Sequence, residues 1–338
     1  MKKENLFKRS TGRGIMVLLV IMIMISLTLS AMASDRQRIM QAPPPDQIQV
    51  IIIGDRVVDI AYNLKAMPVA MSVRGSLWEM ADTLKTMSQI LGCPNFVTVK
   101  KKNTIPGALK KFNIKSIIVE KSPRFCLYKP KVRPDNIAPI VKGWDVKIDY
   151  VDFSKGLESA VRQTGKLLNR EIEADLLIKE YKTKLSKVKA KQPGKKINKK
   201  VLILSGAYQQ STGKSMLRVE APGGYSDYFF LEPMGCINVG GIFKSSDGKL
   251  TKGHYAVKRQ KRGSNLKQLI QADPDIIVLT GNAYAAQKHL AIYLKSNPAL
   301  ADVTAIKHMA VYSLPFYIGS SVMEFPDILL QWTMALSR

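Results

Sequence analysis

The sequence predicts an α/β protein of two Rossmann-like lobes with mostly parallel sheets, joined by a single long helix. Three observations carry this. Short apolar runs alternate with amphipathic helical stretches over residues 46–151, the pattern of parallel strands buried on both faces. The same alternation begins again after Pro193-Gly194. Between the halves, Leu157, Val161, Leu168, Ile172, Leu176, Tyr181, Leu185 and Val188 recur at helical spacing with Lys, Arg and Glu between them. With Ser154 as N-cap and Pro193-Gly194 as stop, residues 154–192 would form one helix on the order of 50 Å long, more than one small lobe is wide. Such a helix connects two bodies. A coiled-coil arm is the alternative, and the loosely kept heptad speaks against it.

The N-terminus stands apart. Lys2, Lys3, Lys8, Arg9 and Arg13 precede an apolar run from Ile15 to Ile25, and Ala31-Met32-Ala33 follows. Basic, apolar and small residues in that order predict a secretory signal peptide over 1–33, cleaved after Ala33, with an uncleaved membrane anchor as the alternative. A linker over 34–45 follows, and the mature chain is expected as a periplasmic or extracytoplasmic monomer. Losing five basic residues and Glu4 takes the formal charge from +26 to about +22. The lysines are spread through all segments, so nucleic acid is a poor partner; a solvated surface or attraction of anionic ligands accounts for them better. Cys93, Cys126 and Cys236 lack metal-site spacing, and Cys93 and Cys126 could pair in an oxidising compartment.

In the first lobe (46–153), strands are expected at Ile48–Ile53, Val69–Val73, Phe96–Val99, Ser116–Val119 and Val146–Val151, with helices over 57–64, 77–91 and 106–112. In the second (200–320), strands fall at 201–204, 216–219, 276–279 and 311–314, with helices over 225–234, 266–272 and 283–294. A closing helix over 321–338 starts with Ser321 and Glu324 at capping-box spacing and Pro326 in its first turn. It is expected to pack back toward the first lobe. The carboxyl ends of the strands then face each other across a groove between the lobes.

Catalytic signatures fail when counted. Ser211-Thr212-Gly213-Lys214-Ser215 lacks the leading glycine of a phosphate-binding loop, since Tyr208 stands in its place, and reads as a turn. There is no GxSxG, no HExxH and no Cys with a His partner, and His254, His289 and His308 are scattered through the second lobe. The sequence predicts a binding protein rather than an enzyme, with no resident cofactor or metal.

Leu269-Ile270-Gln271-Ala272-Asp273-Pro274-Asp275-Ile276-Ile277-Val278-Leu279 gives a helix, then Pro-Asp, then an apolar strand. Asn297-Pro298-Ala299-Leu300, Ala305-Ile306-Lys307, Val311-Tyr312 and Met234-Gly235-Cys236-Ile237-Asn238-Val239 accompany it, and Ile114–Val119 is a looser copy with Lys115-Ser116 in place of Pro-Asp. This set resembles the substrate-binding proteins of ABC importers for ferric siderophores, haem and cobalamin. The resemblance implies a receptor that holds a metal chelate between its lobes and hands it to the membrane subunits of a permease. An oxyanion receptor for molybdate or tungstate on the same fold, and a sensory or adaptor module, remain open beside it.

Loops after the strands supply the expected ligand contacts: Arg74, Trp78, Arg124 and Phe125 in the first lobe, and Tyr208, Tyr284, Phe316 and Tyr317 in the second. Aromatic faces suit a planar or hydroxamate-bearing chelate, and guanidinium groups suit its anionic oxygens. Arg218, Tyr225, His254 and Tyr255 are secondary candidates. The resemblance also implies an exposed acidic residue on the tip of each lobe that docks on arginines of the permease. Asp59 and Asp227 stand nearest those places, with Glu232 as the alternative to Asp227.

Overall fold

A computed structural model describes residues 45–338 apart from 124, 210, 261 and 262, so the signal-peptide and linker expectations lie outside the described residues. Strand β1 (Asp46–Ile53) carries Ile51, Ile52 and Ile53, all fully buried. A run with no polar alternation belongs in the middle of a sheet covered on both faces. There it lies, in the order β3-β2-β1-β4-β5 with every neighbour parallel; β2 is Ala66–Ser72, β3 Gln89–Gly92, β4 Ser116–Lys121 and β5 Lys147–Asp152. Side chains alternate across the sheet. Ile51 and Ile53 pack with Ile105 and Leu109 of α3 (Thr104–Phe112), while Ile52 meets Val58 and Ala61 of α1 (Asp55–Asn63).

The stretch expected as one helix over 77–91 is divided between α2 (Met80–Leu84) and β3. Residues 96–99, expected as a strand, wind instead into a helical turn, Phe96–Lys100, after Pro94. The Cys93 carbonyl accepts from the backbone N–H of both Phe96 and Val97, which starts that turn.

The single helix over 154–192 is corrected. Its first part is α4 (Leu157–Leu168), which ends at Asn169 in the left-handed conformation; α5 (Glu171–Lys189) follows after a turn. Asparagine tolerates that conformation and stops helices there. The two helices cross closely, since a Cβ on Gly165 would stand 2.7 Å from that of Ala174. Ion pairs from Arg162 to Asp175 and from Lys182 to Glu158 flank the crossing. The apolar stripe is therefore not continuous: Ile172 and Leu176 are exposed, while Val161 is buried on the first lobe. A single long helix still joins the lobes, and it is α5. Ala174 and Ile178 belong to the first lobe's core, Leu185 and Val188 to the second's.

The second sheet runs β13-β12-β6-β7-β9, with the short β8 (Ile237–Asn238) beside β6. Strands β6 (Lys200–Gln209), β12 (Ile276–Gly281) and β13 (Val311–Ser313) are parallel, but β7 (Lys214–Glu220) is antiparallel to β6 and to β9 (His254–Ala256). This lobe is thus mixed, because Ser211–Gly213 is a tight turn with Gly213 at φ +64° that folds β7 straight back on β6. A small hairpin pairs β10 (Arg259–Gln260) with β11 (Gly263–Ser264). Helices α6 (Lys267–Ala272), α7 (Ala283–Ser296) and α8 (Thr304–Lys307) complete the lobe. Residues 225–234 form only a helical turn, Asp227–Leu231. The Asp-Pro-Asp segment has a structural role: Asp273 accepts from Thr304 N at 2.8 Å and Asp275 from Lys200 N at 2.7 Å, fixing β12 to its neighbours.

The closing segment begins with a capping box between Ser321 and Glu324, then α9 (Phe325–Leu336). Only its start reaches the first lobe, where Val322 and Met323 join that core. The helix itself packs beneath the second sheet, with Trp332 fully buried and stacked 4.5 Å from Phe230.

Candidate functional site

Two cavities lie where the lobes meet; Arg74 lines both, and its partner Tyr225 lines the first. Arg74 follows β2, and its guanidinium is held on three sides. It donates to Asp55 Oδ2 at 2.6 Å, to the Phe125 carbonyl at 2.7 Å and, across the lobe boundary, to Tyr225 Oη at 2.8 Å. Its Cζ also lies 4.4 Å from the centre of the Phe125 ring. Leu127 N donates to the same Tyr225 oxygen at 3.1 Å, so one second-lobe hydroxyl ties down two first-lobe groups.

The inner cavity, about 270 Å³, is lined by Asp55, Arg56, Asp59, Trp78, Tyr181 and a wall of Phe229, Tyr317 and Phe325, among others. Of the sequence-predicted contacts, Arg74, Trp78, Phe125 and Tyr317 come together here. Arg124 lies outside the described residues. Tyr208, Tyr284 and Phe316 line neither cavity. The physical reasons differ: β6 continues through Tyr208 into its hairpin, and Tyr284 sits in the exposed first turn of α7. Phe316 packs instead with its ring centre 6.1 Å from that of His254. Among the secondary candidates, Tyr225 and His254 lie at the lobe boundary, Tyr255 is buried in the second core, and Arg218 remains on β7 away from both cavities.

The outer cavity, about 390 Å³, has apolar walls from Leu77, Leu127, Val132 and Leu250, with Lys129 and Lys252 among its polar groups. Lys252 Nζ reaches the Ser76 carbonyl at 2.8 Å, a further bond between lobes. Tyr128 lies on Gly253, where a Cβ would stand 2.0 Å from its ring and where φ is +76°. That position requires glycine twice over. The Tyr128 hydroxyl is sealed from solvent with no hydrogen-bond partner among the described residues, and so is Nε2 of His254. The two rings, one from each lobe, are 6.4 Å apart. Burial lowers the His254 pKa, against the bond to Lys252; the Lys252 carbonyl only accepts, so Nδ1 carries the proton at 2.7 Å and the Nε2 lone pair is left free. Burial likewise raises the Tyr128 pKa, with the Glu220 carboxylate adding to it. Sequence reasoning missed Tyr128, because nothing in Phe125-Cys126-Leu127-Tyr128 marks which ring turns inward. Cys93 and Cys126 also line this cavity, and both are free thiols, not a disulfide.

Asp59 and Asp227 are not exposed docking residues. Asp59 is 1 % exposed and accepts from Val322 N at 2.6 Å and Ser321 Oγ at 2.9 Å, capping the closing segment. Asp227 is 5 % exposed and accepts from Gly223 N and Asn238 Nδ2. Asp59 lies in the middle of α1 and is claimed by a backbone donor of the closing segment, while Asp227 opens a helical turn and is claimed by a backbone donor just before it. Glu232 is exposed.

Burial pushes the Asp59 carboxyl up to about 7, against its two hydrogen bonds, and the fully buried Glu220 also up to about 7, against its bonds from Ser226. A carboxyl with a raised folded-state pKa stabilises the fold fully below its unfolded pKa of roughly 4, and that contribution is lost as pH rises through about 7. Asp59→Asn is therefore expected to flatten the fall of the thermal midpoint between pH 5 and pH 8. Parallel curves for variant and parent would refute the assignment.

The family profile described as "Periplasmic binding protein" matches residues 137–318, more than half of the chain. Over 200 residues the chain is 27 % identical to the high-affinity heme uptake system protein IsdE of Staphylococcus aureus strain MRSA252. That alignment takes in 56 % of this chain and 60 % of the relative's length. The fold is shared with the periplasmic heme-binding protein RhuT of Roseiflexus sp. RS-1, at 13 % identity and a TM-score of 0.52, over 86 % of this chain and 98 % of that one. It is shared too with the periplasmic heme-binding protein BhuT in complex with two hemes, at 15 % identity and a TM-score of 0.53, with the same coverage.

Proposed function

The chain belongs to the periplasmic binding protein family, a family of binding proteins rather than enzymes, and from that premise we propose that it is an extracytoplasmic receptor for an iron chelate, haem foremost. On this reading it captures the chelate between its lobes and delivers it to an ABC permease. The observation that carries the reading is a pair of buried ligating atoms without partners among the described residues, Tyr128 Oη from the first lobe and His254 Nε2 from the second. A buried polar atom left unpaired costs about 1–3 kcal/mol, a cost that a ligand bound between the lobes removes. Phenolate and imidazole are both ligands of haem iron, and ferric iron favours the deprotonated phenol. The apolar walls suit a macrocycle, and Lys129 and Lys252 suit its carboxylates. At about 390 Å³ the outer cavity must widen to admit haem, which requires Arg74 and Tyr225 to separate. The heme-binding relatives support the same ligand class.

The test is a titration of the purified protein with ferric haem, followed in the Soret region. One haem per chain, with a spectrum of tyrosinate and histidine ligation, is the expected outcome. Spectra identical to those of free haem at every ratio would overturn the proposal.

A further inference from the structure

The inner cavity has a charge pattern that the chelate reading does not use. Arg56 is paired with Glu120, Nε to Oε1 at 2.7 Å, and Arg74 with Asp55. Asp59 is left over: among the described residues no cation pairs with it, although Val322 N, Ser321 Oγ and Asn63 Nδ2 donate to it. Opposite stand Phe229, Tyr317 and Phe325, packed edge to face with ring centres 4.4 Å, 5.1 Å and 5.9 Å apart. Tyr181, reaching in from α5, and Tyr317 line the same space as Arg56 and Asp59.

We propose that this chamber is a second binding site, separate from the Tyr128 and His254 donors, for a small quaternary ammonium ligand of about the size of choline. An aromatic wall attracts a weakly hydrated cation through the negative faces of its rings. The two guanidinium groups are matched by Glu120 and Asp55, so the Asp59 carboxyl, which burial raises to about 7, supplies the matching charge once it ionises, and a bound cation favours that form. A primary ammonium is more strongly hydrated and would want several acceptors at once. The many lysines of the exterior do not decide the matter, since their field is screened over roughly 8–10 Å in physiological salt. The volume, about 270 Å³, is just below the range for ligand pockets of roughly 300–1,000 Å³ and limits the ligand to a small one.

Calorimetric titration of the full-length protein with choline tests this, with 3,3-dimethyl-1-butanol as its neutral isostere. Choline is expected to bind and the isostere to bind at least tenfold more weakly. Asp59→Asn, which keeps an oxygen for Val322 N, should weaken choline at least tenfold, and Phe325→Leu at least threefold. Because the site is separate, Tyr128→Phe with His254→Ala should leave choline affinity unchanged, whatever becomes of haem. Absence of heat at millimolar choline, equal binding of the isostere, or indifference to both inner-cavity substitutions would each overturn the proposal. If Asp59→Asn proves unfolded, the Phe325→Leu result and the isostere comparison decide.

Discussion

Replacing Tyr128 by Phe and His254 by Ala together is expected to weaken ferric haem binding at least a hundredfold, about 2.7 kcal/mol. The substitutions remove the two donors and little else. Among the described residues neither Tyr128 Oη nor His254 Nε2 has a hydrogen bond to lose. Tyr128→Phe keeps the ring that lies on Gly253 and packs edge-on to Tyr225, 5.0 Å away. It also relieves an unpaired buried hydroxyl, so the thermal midpoint should hold or rise. His254→Ala removes the Nδ1 bond to Lys252 and a ring contact with Phe316, a modest loss. A variant that melts as the parent does and has lost haem separates ligation from folding. One that retains haem affinity would show that other groups hold the iron.

Arg74→Ala is expected to destabilise the protein by about 3–5 kcal/mol, read as a lower midpoint in urea. The guanidinium is 8 % exposed and answers the 2 % exposed Asp55. Removing it leaves a buried carboxylate without its cation, which costs far more than the pair itself contributes. It also frees the Phe125 carbonyl and one of the two donors to Tyr225. Tyr225→Phe, which removes the two interlobe bonds from Arg74 and Leu127 N, should cost about 1.5–3 kcal/mol. Equal losses from both substitutions would mean that the Asp55 pair carries little and that the contact between lobes dominates.

The sequence displayed the fold class through patterns that packing enforces. Ile51-Ile52-Ile53 and Val201-Leu202-Ile203-Leu204 can only be buried on both faces, and the structure divides each run between two layers. The single-helix expectation failed at Asn169. A left-handed asparagine is invisible to a count of apolar spacing, and Ile172 and Leu176 match the stripe although the turn aims them at solvent. The antiparallel β7 was hidden for a similar reason: a short turn decides the direction of a strand without changing its composition. Within the site, Arg74, Trp78, Phe125 and Tyr317 could be found from their positions just after strands. Tyr208 could not be excluded that way, because how far β6 extends depends on its pairing with β7. Asp59 and Asp227 misled because an acidic residue in a helical segment has the same local sequence whether it faces a partner or is claimed by backbone donors, those of the closing segment for Asp59 and of the preceding loop for Asp227.

The central claim, that this receptor carries an iron chelate, is tested most directly by the mass of the ligand retained by the full-length protein. The protein would be purified from cells supplied with iron and haem and weighed under native conditions. The account predicts a bound mass equal to one haem, lost on denaturation and absent from the variant lacking Tyr128 and His254 donors. A bound oxyanion such as molybdate, or a retained ligand without iron, would contradict it.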